Sequence, residues 1–170
     1  QSPDILNIVV DDPVGAAKPR SGFTRCGNLP SGSTPTEMFN YTRSDGQEYL
    51  ITADNTNVYQ TADCITWTRI LTGQTATFKP AFKTVRNDLW IVNGTTFAYK
   101  WDGSTTSIMD TRAATPSPAP PRGRYIEFWR ERVWIARTLA DPSLLQWSAI
   151  TDSAGNDITP STGTGAWPAT

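Results

Sequence analysis

A unit with a period of about 40 residues, long enough for a small group of strands, recurs three times along this chain and constrains its fold more than any single residue does. The first copy, residues 46–70, reads GQEYLITADNTNVYQTADCITWTRI. The second, residues 86–110, reads RNDLWIVNGTTFAYKWDGSTTSIMD, and the third, residues 130–152, reads RERVWIARTLADPSLLQWSAITD. Each opens on a charged turn, runs through a hydrophobic strand and a polar turn, and reaches a second strand that ends in an aromatic before another turn. Leu50-Ile51-Thr52 aligns with Trp90-Ile91-Val92, and Val58-Tyr59-Gln60 aligns with Ala98-Tyr99-Lys100 at the same offset. Val133-Trp134-Ile135 follows Leu89-Trp90-Ile91 at a slightly longer offset, and Asp141-Pro142 lengthens the hairpin after it. A further strand precedes each unit: Met38 to Tyr41, Phe78 to Phe82, and Tyr125 to Trp129.

Repeats of this length built from short strands are the signature of propeller blades. The sequence therefore predicts an all-β fold of propeller-like repeats of short antiparallel strands. Units are expected at about 38–75, 76–115 and 122–152, within a repeat domain spanning 38–152. An N-terminal strand and loop arm, 1–37, precedes them, and a Gly/Thr/Pro-rich tail, 153–170, follows. Closed propellers typically have four to eight blades. Three units are thus expected to be incomplete without other chains or further sequence.

A chain of 170 residues can bury roughly 70% of its unfolded surface in one core. No long stretch shows a clean helical period. Val133-Trp134-Ile135 is β-branched and aromatic, as strands prefer. Residues 111–123, TRAATPSPAPPRG, hold four prolines and read as a stiff extended strap between the second and third units. Net charge is −1 with no basic stripe, which argues against tight, salt-sensitive nucleic-acid binding. The middle third is locally basic through Arg112, Arg122, Arg124, Arg130, Arg132 and Arg137. These read as solvated strand edges and ion pairs or, more sharply, as contacts for an acidic partner surface. No apolar run is long enough to cross a bilayer, so no membrane-spanning helix is expected. The N-terminus has no secretion-signal pattern, and Gln1 reads as processing or as a portion of something longer.

The chain has no histidine, which removes the commonest general base and the commonest metal ligand. Asp11-Asp12 is the only adjacent pair among the aspartates, and neighbours on a strand point to opposite faces. Asp88, Asp102, Asp141 and Asp152 sit where turns need a side-chain acceptor. No catalytic residue, metal ligand or cofactor is predicted. Cys26 and Cys64 are expected to be free thiols. Cys64 occupies a turn position where glycine is usual, so its side chain is expected to be exposed. Among seven tryptophans, Trp90 and Trp134 lie mid-strand and read as core. Trp129, Trp147 and Trp167 are less constrained and become candidate interface residues. Ile5, Ile8 and Val10 of the apolar run at 5–10 join them.

The segment Thr61-Ala62-Asp63-Cys64-Ile65-Thr66-Trp67 resembles the Asp-box hairpin of sialidase-type propellers. That resemblance implies that Asp63 caps the turn and that Trp67 packs beneath the blade. Asp102 and Gly103 stand at the same place in the second unit. Cys64 replaces the motif's glycine, and the spacing is shorter by one residue. In that family the box is a fold element and not a catalytic site.

Along residues 18–150 the chain is also similar to the β-rich, propeller-type tail hub, nozzle and tail-accessory proteins of tailed-phage head–tail connectors. The similarity runs through Lys18-Pro19-Arg20-Ser21-Gly22-Phe23, Leu89-Trp90-Ile91-Val92-Asn93-Gly94 and Tyr99-Lys100-Trp101-Asp102-Gly103. It continues in the Pro-rich strap, Arg130-Glu131-Arg132-Val133-Trp134-Ile135-Ala136 and Leu144-Leu145-Gln146-Trp147-Ser148. Ser21 departs from the usual proline, and the chain is shorter than most members. What the resemblance implies is a non-enzymatic structural protein of the virion tail or neck, assembled in the host cytoplasm. Its copies would form a ring, contact neighbouring tail or portal-adapter proteins, and let DNA pass through the lumen without sequence-specific binding or membrane contact. A carbohydrate- or receptor-binding propeller module is the alternative.

Overall fold

The computed structural model describes residues 8–11, 16–19, 26–74, 79–108, 120–139 and 141–148. Among them lie thirteen strands and no helix. β1 (Ile8–Asp11) and β2 (Ala16–Pro19) form an antiparallel hairpin. The other strands are β3 (Glu37–Thr42), β4 (Glu48–Ala53), β5 (Val58–Thr61), β6 (Thr68–Leu71), β7 (Ala81–Val85), β8 (Asp88–Val92), β9 (Tyr99–Trp101), β10 (Thr106–Ile108), β11 (Gly123–Trp129), β12 (Arg132–Thr138) and β13 (Leu145–Trp147). They form three antiparallel meanders: a first sheet β3-β4-β5-β6, a second β7-β8-β9-β10 and a third β11-β12-β13. The all-β expectation holds.

Turn chemistry repeats from sheet to sheet and explains where the strands stop. After β4, Asp54 Oδ1 accepts the backbone N–H groups of Thr56 (2.7 Å) and Asn57 (2.6 Å). After β8, Asn93 Oδ1 accepts those of Thr95 and Thr96, both at 2.9 Å. After β12, Asp141 accepts the N–H of Ser143 at 2.9 Å. A side-chain oxygen that captures amides two and three residues on turns the chain without leaving those donors unpaired.

The same turns fix the register. Asp54 and Asn93 hold equivalent turns, which makes Leu50 on β4 the counterpart of Leu89 on β8. Leu50 faces Thr61 and Leu89 faces Trp101, so the second connection is one residue longer. The expected alignment of Leu50-Ile51-Thr52 with Trp90-Ile91-Val92 is therefore out by one residue. Ile51 corresponds to Trp90, not to Ile91. One residue of slip in a strand exchanges its two faces, and the packing shows which alignment is right.

The three sheets stack face on face. The face of the first sheet that looks toward the second, here its forward face, contributes Tyr41, Ile51, Ala53 and Val58. They close on Leu89, Ile91 and Trp101 from the back face of the second sheet. The forward face of the second sheet supplies Val85, Trp90, Val92 and Ala98, which close on Val133 and Ile135 from the back face of the third. Ile51 and Trp90 thus do the same job one sheet apart. Both are fully buried. Removing a side chain such as Trp90 would cost about 3–5 kcal/mol. Aromatic contacts add to the first interface, with Trp101 5.5 Å from Tyr41 and 5.2 Å from Tyr49 between ring centroids.

Polar ties follow the same order. Asn87 Oδ1 accepts from Ser44 N and Oγ at 2.8 Å, and Thr106 Oγ1 donates to the Ile70 carbonyl at 2.6 Å, joining the first two sheets. Gly94 N donates to the Gly123 carbonyl at 2.9 Å, and Lys83 pairs with Glu127, joining the second and third.

Residues 26–36, within the expected N-terminal strand and loop arm, strap the outer part of the first sheet's back. Cys26 is bonded to Cys64, with their Cα atoms 4.5 Å apart, which corrects the expectation of free thiols. Gly27 adopts φ +45° against the β5–β6 turn, where a Cβ would lie 3.2 Å from both the Ile65 carbonyl oxygen and Trp67 Nε1. Pro30 and Ser31 share a hollow with Asn57, Tyr59 and Trp67. Sequence spacing alone could not reveal the bond, because the cysteines are distant along the chain and only the folded strap brings them together.

Candidate functional site: a bare aromatic sheet face

Alternation along a strand sends every second side chain to one face. In the third sheet, Ile126, Phe128, Val133 and Ile135 face the second sheet. Register then puts Tyr125, Glu127, Trp129, Trp134, Leu145 and Trp147 on the opposite, forward face, since Trp134 pairs with both Glu127 and Trp147. This is the face that on the first two sheets is covered by the next sheet. Here it is open: Trp129 is 54% exposed, Tyr125 53%, Leu145 50% and Trp147 44%.

The three indoles form a contiguous ladder. Trp134 lies 6.0 Å from Trp129 and 5.4 Å from Trp147 between ring centroids. Trp134 Nε1 donates to the Trp129 carbonyl at 3.2 Å, which fixes its ring. The Arg130 guanidinium sits 4.4 Å from the Trp129 ring centroid, in cation–π range. Arg132 Nη1 donates to the Ser148 carbonyl at 2.9 Å, and Ser148 Oγ accepts the Val133 N–H at 2.9 Å, so the end of β13 is locked onto β12. The ladder is therefore held rigid while remaining accessible, as an interface anchor needs.

The sequence-predicted residues fall as follows. Trp129 and Trp147 belong to this face. Trp134 joins them: it is half-buried on the bare face and not part of the core, which corrects its mid-strand reading, whereas Trp90 is buried as expected. Ile8 and Val10 lie on β1, paired with Pro19 and Ala17 of β2. Ile5 and Trp167 lie outside the described residues. The period-2 pattern Tyr125-x-Glu127-x-Trp129 beside Leu145-x-Trp147 could have revealed the aromatic face. It was obscured because Ile126, Phe128 and the run Val133-Trp134-Ile135 put hydrophobics on both faces of β11 and β12.

Asp63 and Asp102 are turn caps, as the Asp-box resemblance implies. Asp63 Oδ1 accepts the N–H groups of Thr66 (2.7 Å) and Ile65 (2.8 Å) and the Thr61 hydroxyl (2.9 Å). Those donors hold its carboxyl at about 2, well below the usual carboxylate range. Asp102 Oδ1 accepts from Thr105 N and Ser104 N at 2.8 Å, and the same donors lower its pKa. Gly103 takes φ +97° beneath the Arg43 side chain, where a Cβ would meet Nη1 at 2.6 Å. Trp67 is half-buried with its indole nitrogen against Gly27.

Several other described carboxylates are engaged in the same way or in ion pairs, such as Asp88 with Lys100 at 2.8 Å. Among the described residues no cluster of three or more His, Cys, Asp or Glu side chains could hold a metal ion. No helix there is long and apolar enough to cross a membrane. No family model, curated protein or solved structure matches this chain.

Proposed function

We propose that this chain is a propeller-type structural component of a tailed-phage tail or neck, built into a ring around the channel through which the genome passes. The observation that carries the reading is the stack itself. Three successive meanders join forward face to back face, and among the described residues nothing covers the last forward face, whose aromatics are rigid and exposed. Such a face in a free monomer is a liability, and in an assembly it is the contact.

Three features agree with this reading. Asp54, Asp63, Asp102 and Asp141 hold turns, and the reading assigns no catalysis. A net charge of −1 gives a wall that does not retain DNA electrostatically. A disulfide forms in oxidising surroundings, virion surfaces among them, and would close on Cys26 and Cys64 after assembly in a reducing cytoplasm. The test is location. Antibody raised against the chain, gold-labelled and applied to density-purified tailed-phage particles that contain it, is expected to mark the tail or neck. Recovery only in the unassembled fraction, with the other virion proteins in the particles, would overturn the proposal.

The ladder of Trp129, Trp134 and Trp147 beside Arg130 also favours a second reading, a carbohydrate-binding module, because indoles stack on sugar rings. Glycan-array binding abolished by Trp147→Ala, with the fold intact, would select it.

A further inference from the structure

The stack leaves two unpaired halves of one kind of interface. Within the chain, a forward face is twice covered by the back face of the next sheet. The third sheet's forward face has no such cover among the described residues, and neither does the inner part of the first sheet's back face. There Met38 is 63% exposed. Asn40, Glu48 and Leu50 share that face by register, since Asn40 pairs with Leu50 and Thr42 with Glu48. The strap of residues 26–36 lies against the outer strands; on this face Thr52 is buried and Leu50 half-buried, while Met38, Asn40 and Glu48 are exposed.

Charge distinguishes the two ends. Residues 26–74 carry Arg43 and Arg69 against Glu37, Asp45, Glu48, Asp54 and Asp63, a net of −3. Residues 120–148 carry five arginines against Glu127, Glu131 and Asp141, a net of +2. The open back face is rimmed by Glu48 and by Asp63 of the adjoining hollow. The open forward face carries Glu127, whose carboxylate is paired with Lys83, and is rimmed by Arg130, Arg132 and Arg137. Apolar centres of Met38 and Leu50 on one side and of Trp129, Trp134 and Trp147 on the other are thus framed by opposite charge, which favours pairing and sets its direction.

We infer that the bare forward face of the third sheet receives the back face of the first sheet of a second copy. Two copies joined twice in this way close a ring of six sheets. The inference rests on reading the sheets as propeller blades. Six lies inside the range in which propellers close, and three copies, with nine sheets, would fall outside it. A head-to-tail contact must either close or run on as a filament, and two copies are enough to close this one.

The test is the mass of the full chain in solution, by sedimentation equilibrium and native mass spectrometry. The expected species has twice the 18.7 kDa of the chain. Trp147→Glu and Met38→Arg change exposed positions on opposite halves of the contact, and circular dichroism confirms that each variant folds. Each falls in both contacts of the closed dimer and is expected to raise the dimer dissociation constant on the order of a thousand-fold, about thirty-fold per contact, as loss of a buried aromatic or apolar anchor does. Mixing the two variants restores one unaltered interface, so heterodimer is expected to exceed either homodimer. A dimer sensitive to Trp147→Glu but not to Met38→Arg would mean face-to-face pairing and overturn the inference. So would a monomer at all concentrations, a trimer, or glycan binding at the ladder in place of association. A monomer located in virions overturns this pairing alone, whereas a dimer absent from virions overturns only the phage reading.

Discussion

Asp54 shows how a single side chain reports on the fold. It is almost wholly buried, at 1% exposure, yet stays ionised. Burial alone would raise its pKa. The amides of Thr56 and Asn57, the Asn57 side chain and Ser31 outweigh that and hold it at about 2. Its folded value lies below the ordinary 3.8, so its contribution is complete above about pH 4 and is lost as pH falls toward 2. Asp54→Asn is therefore expected to be less stable than the parent at pH 6 by on the order of 2 kcal/mol, with the gap closing by about pH 2. Urea unfolding of both proteins across that range measures it, and the subtraction removes the other carboxylates. Gly123 is a second such residue. A Cβ there would lie 2.0 Å from Ile135 Cγ2 and 2.9 Å from the Ala136 carbonyl oxygen. Ile135 is locked in the core and a backbone oxygen cannot yield, so Gly123→Ala is expected to cost about 1–3 kcal/mol in the same assay. Neither residue stood out in the sequence. Asp54 looked like any turn aspartate, and Gly123 like a loop glycine at the end of the Pro-rich strap, because both roles depend on what the third dimension brings alongside.

At the scale of elements, the meanders were legible and their register was not. Strand cores such as Leu89-Trp90-Ile91-Val92 declare themselves by β-branched and aromatic content. The one-residue difference between the β4–β5 and β8–β9 connections moves Ile51 to the other face relative to the expected alignment, and only packing against the next sheet reveals it. The β5–β6 turn was half legible. Cys64 does stand in a glycine's place, at φ +59°, and it is exposed as expected. Its bond to Cys26 was hidden, since the strap that carries Cys26 has no periodicity. The bond closes a loop of 38 residues. Chain entropy alone then predicts a loss of about 4 kcal/mol on removing it, and measured losses of this kind are typically about 2–4 kcal/mol. Cys26→Ser, or reduction of the parent, is expected to lower the urea-unfolding free energy by that amount. Cys64→Gly breaks the same bond but relieves a left-handed backbone worth about 1 kcal/mol, so it should lose less than Cys64→Ser. Equal losses in the two Cys64 variants would show that the turn relaxes out of its left-handed form once the bond is gone.

Across the whole molecule, the sheet-to-sheet contacts run from each sheet to its neighbour, so stability is expected to behave as a sum over sheets and the interfaces between them. The second sheet is covered on both faces, by the cluster around Ile51 and Leu89 on one side and that around Trp90 and Val133 on the other. The third is covered on one face alone among the described residues. Local opening follows the apolar area that must be exposed. In dilute solution, where the chain is without a partner, native-state hydrogen exchange is expected to be slowest at the amides of Leu89 and Ile91 and faster by at least tenfold at those of Leu145 and Trp147, a gap of about 1.4 kcal/mol. Deleting a buried methylene at the shared interface, as in Ile135→Val, should speed exchange throughout the third sheet and leave the first sheet unchanged. Covering the bare face must reverse the order of effects: raising the protein concentration into the range where copies associate is expected to slow exchange in the third sheet and in β3 and β4 together. Protection that rose in the third sheet without any change in β3 and β4 would mean that something other than the first sheet of another copy had docked there. The same readout thus tests the stack as a chain of neighbour contacts and identifies which of its open ends have met.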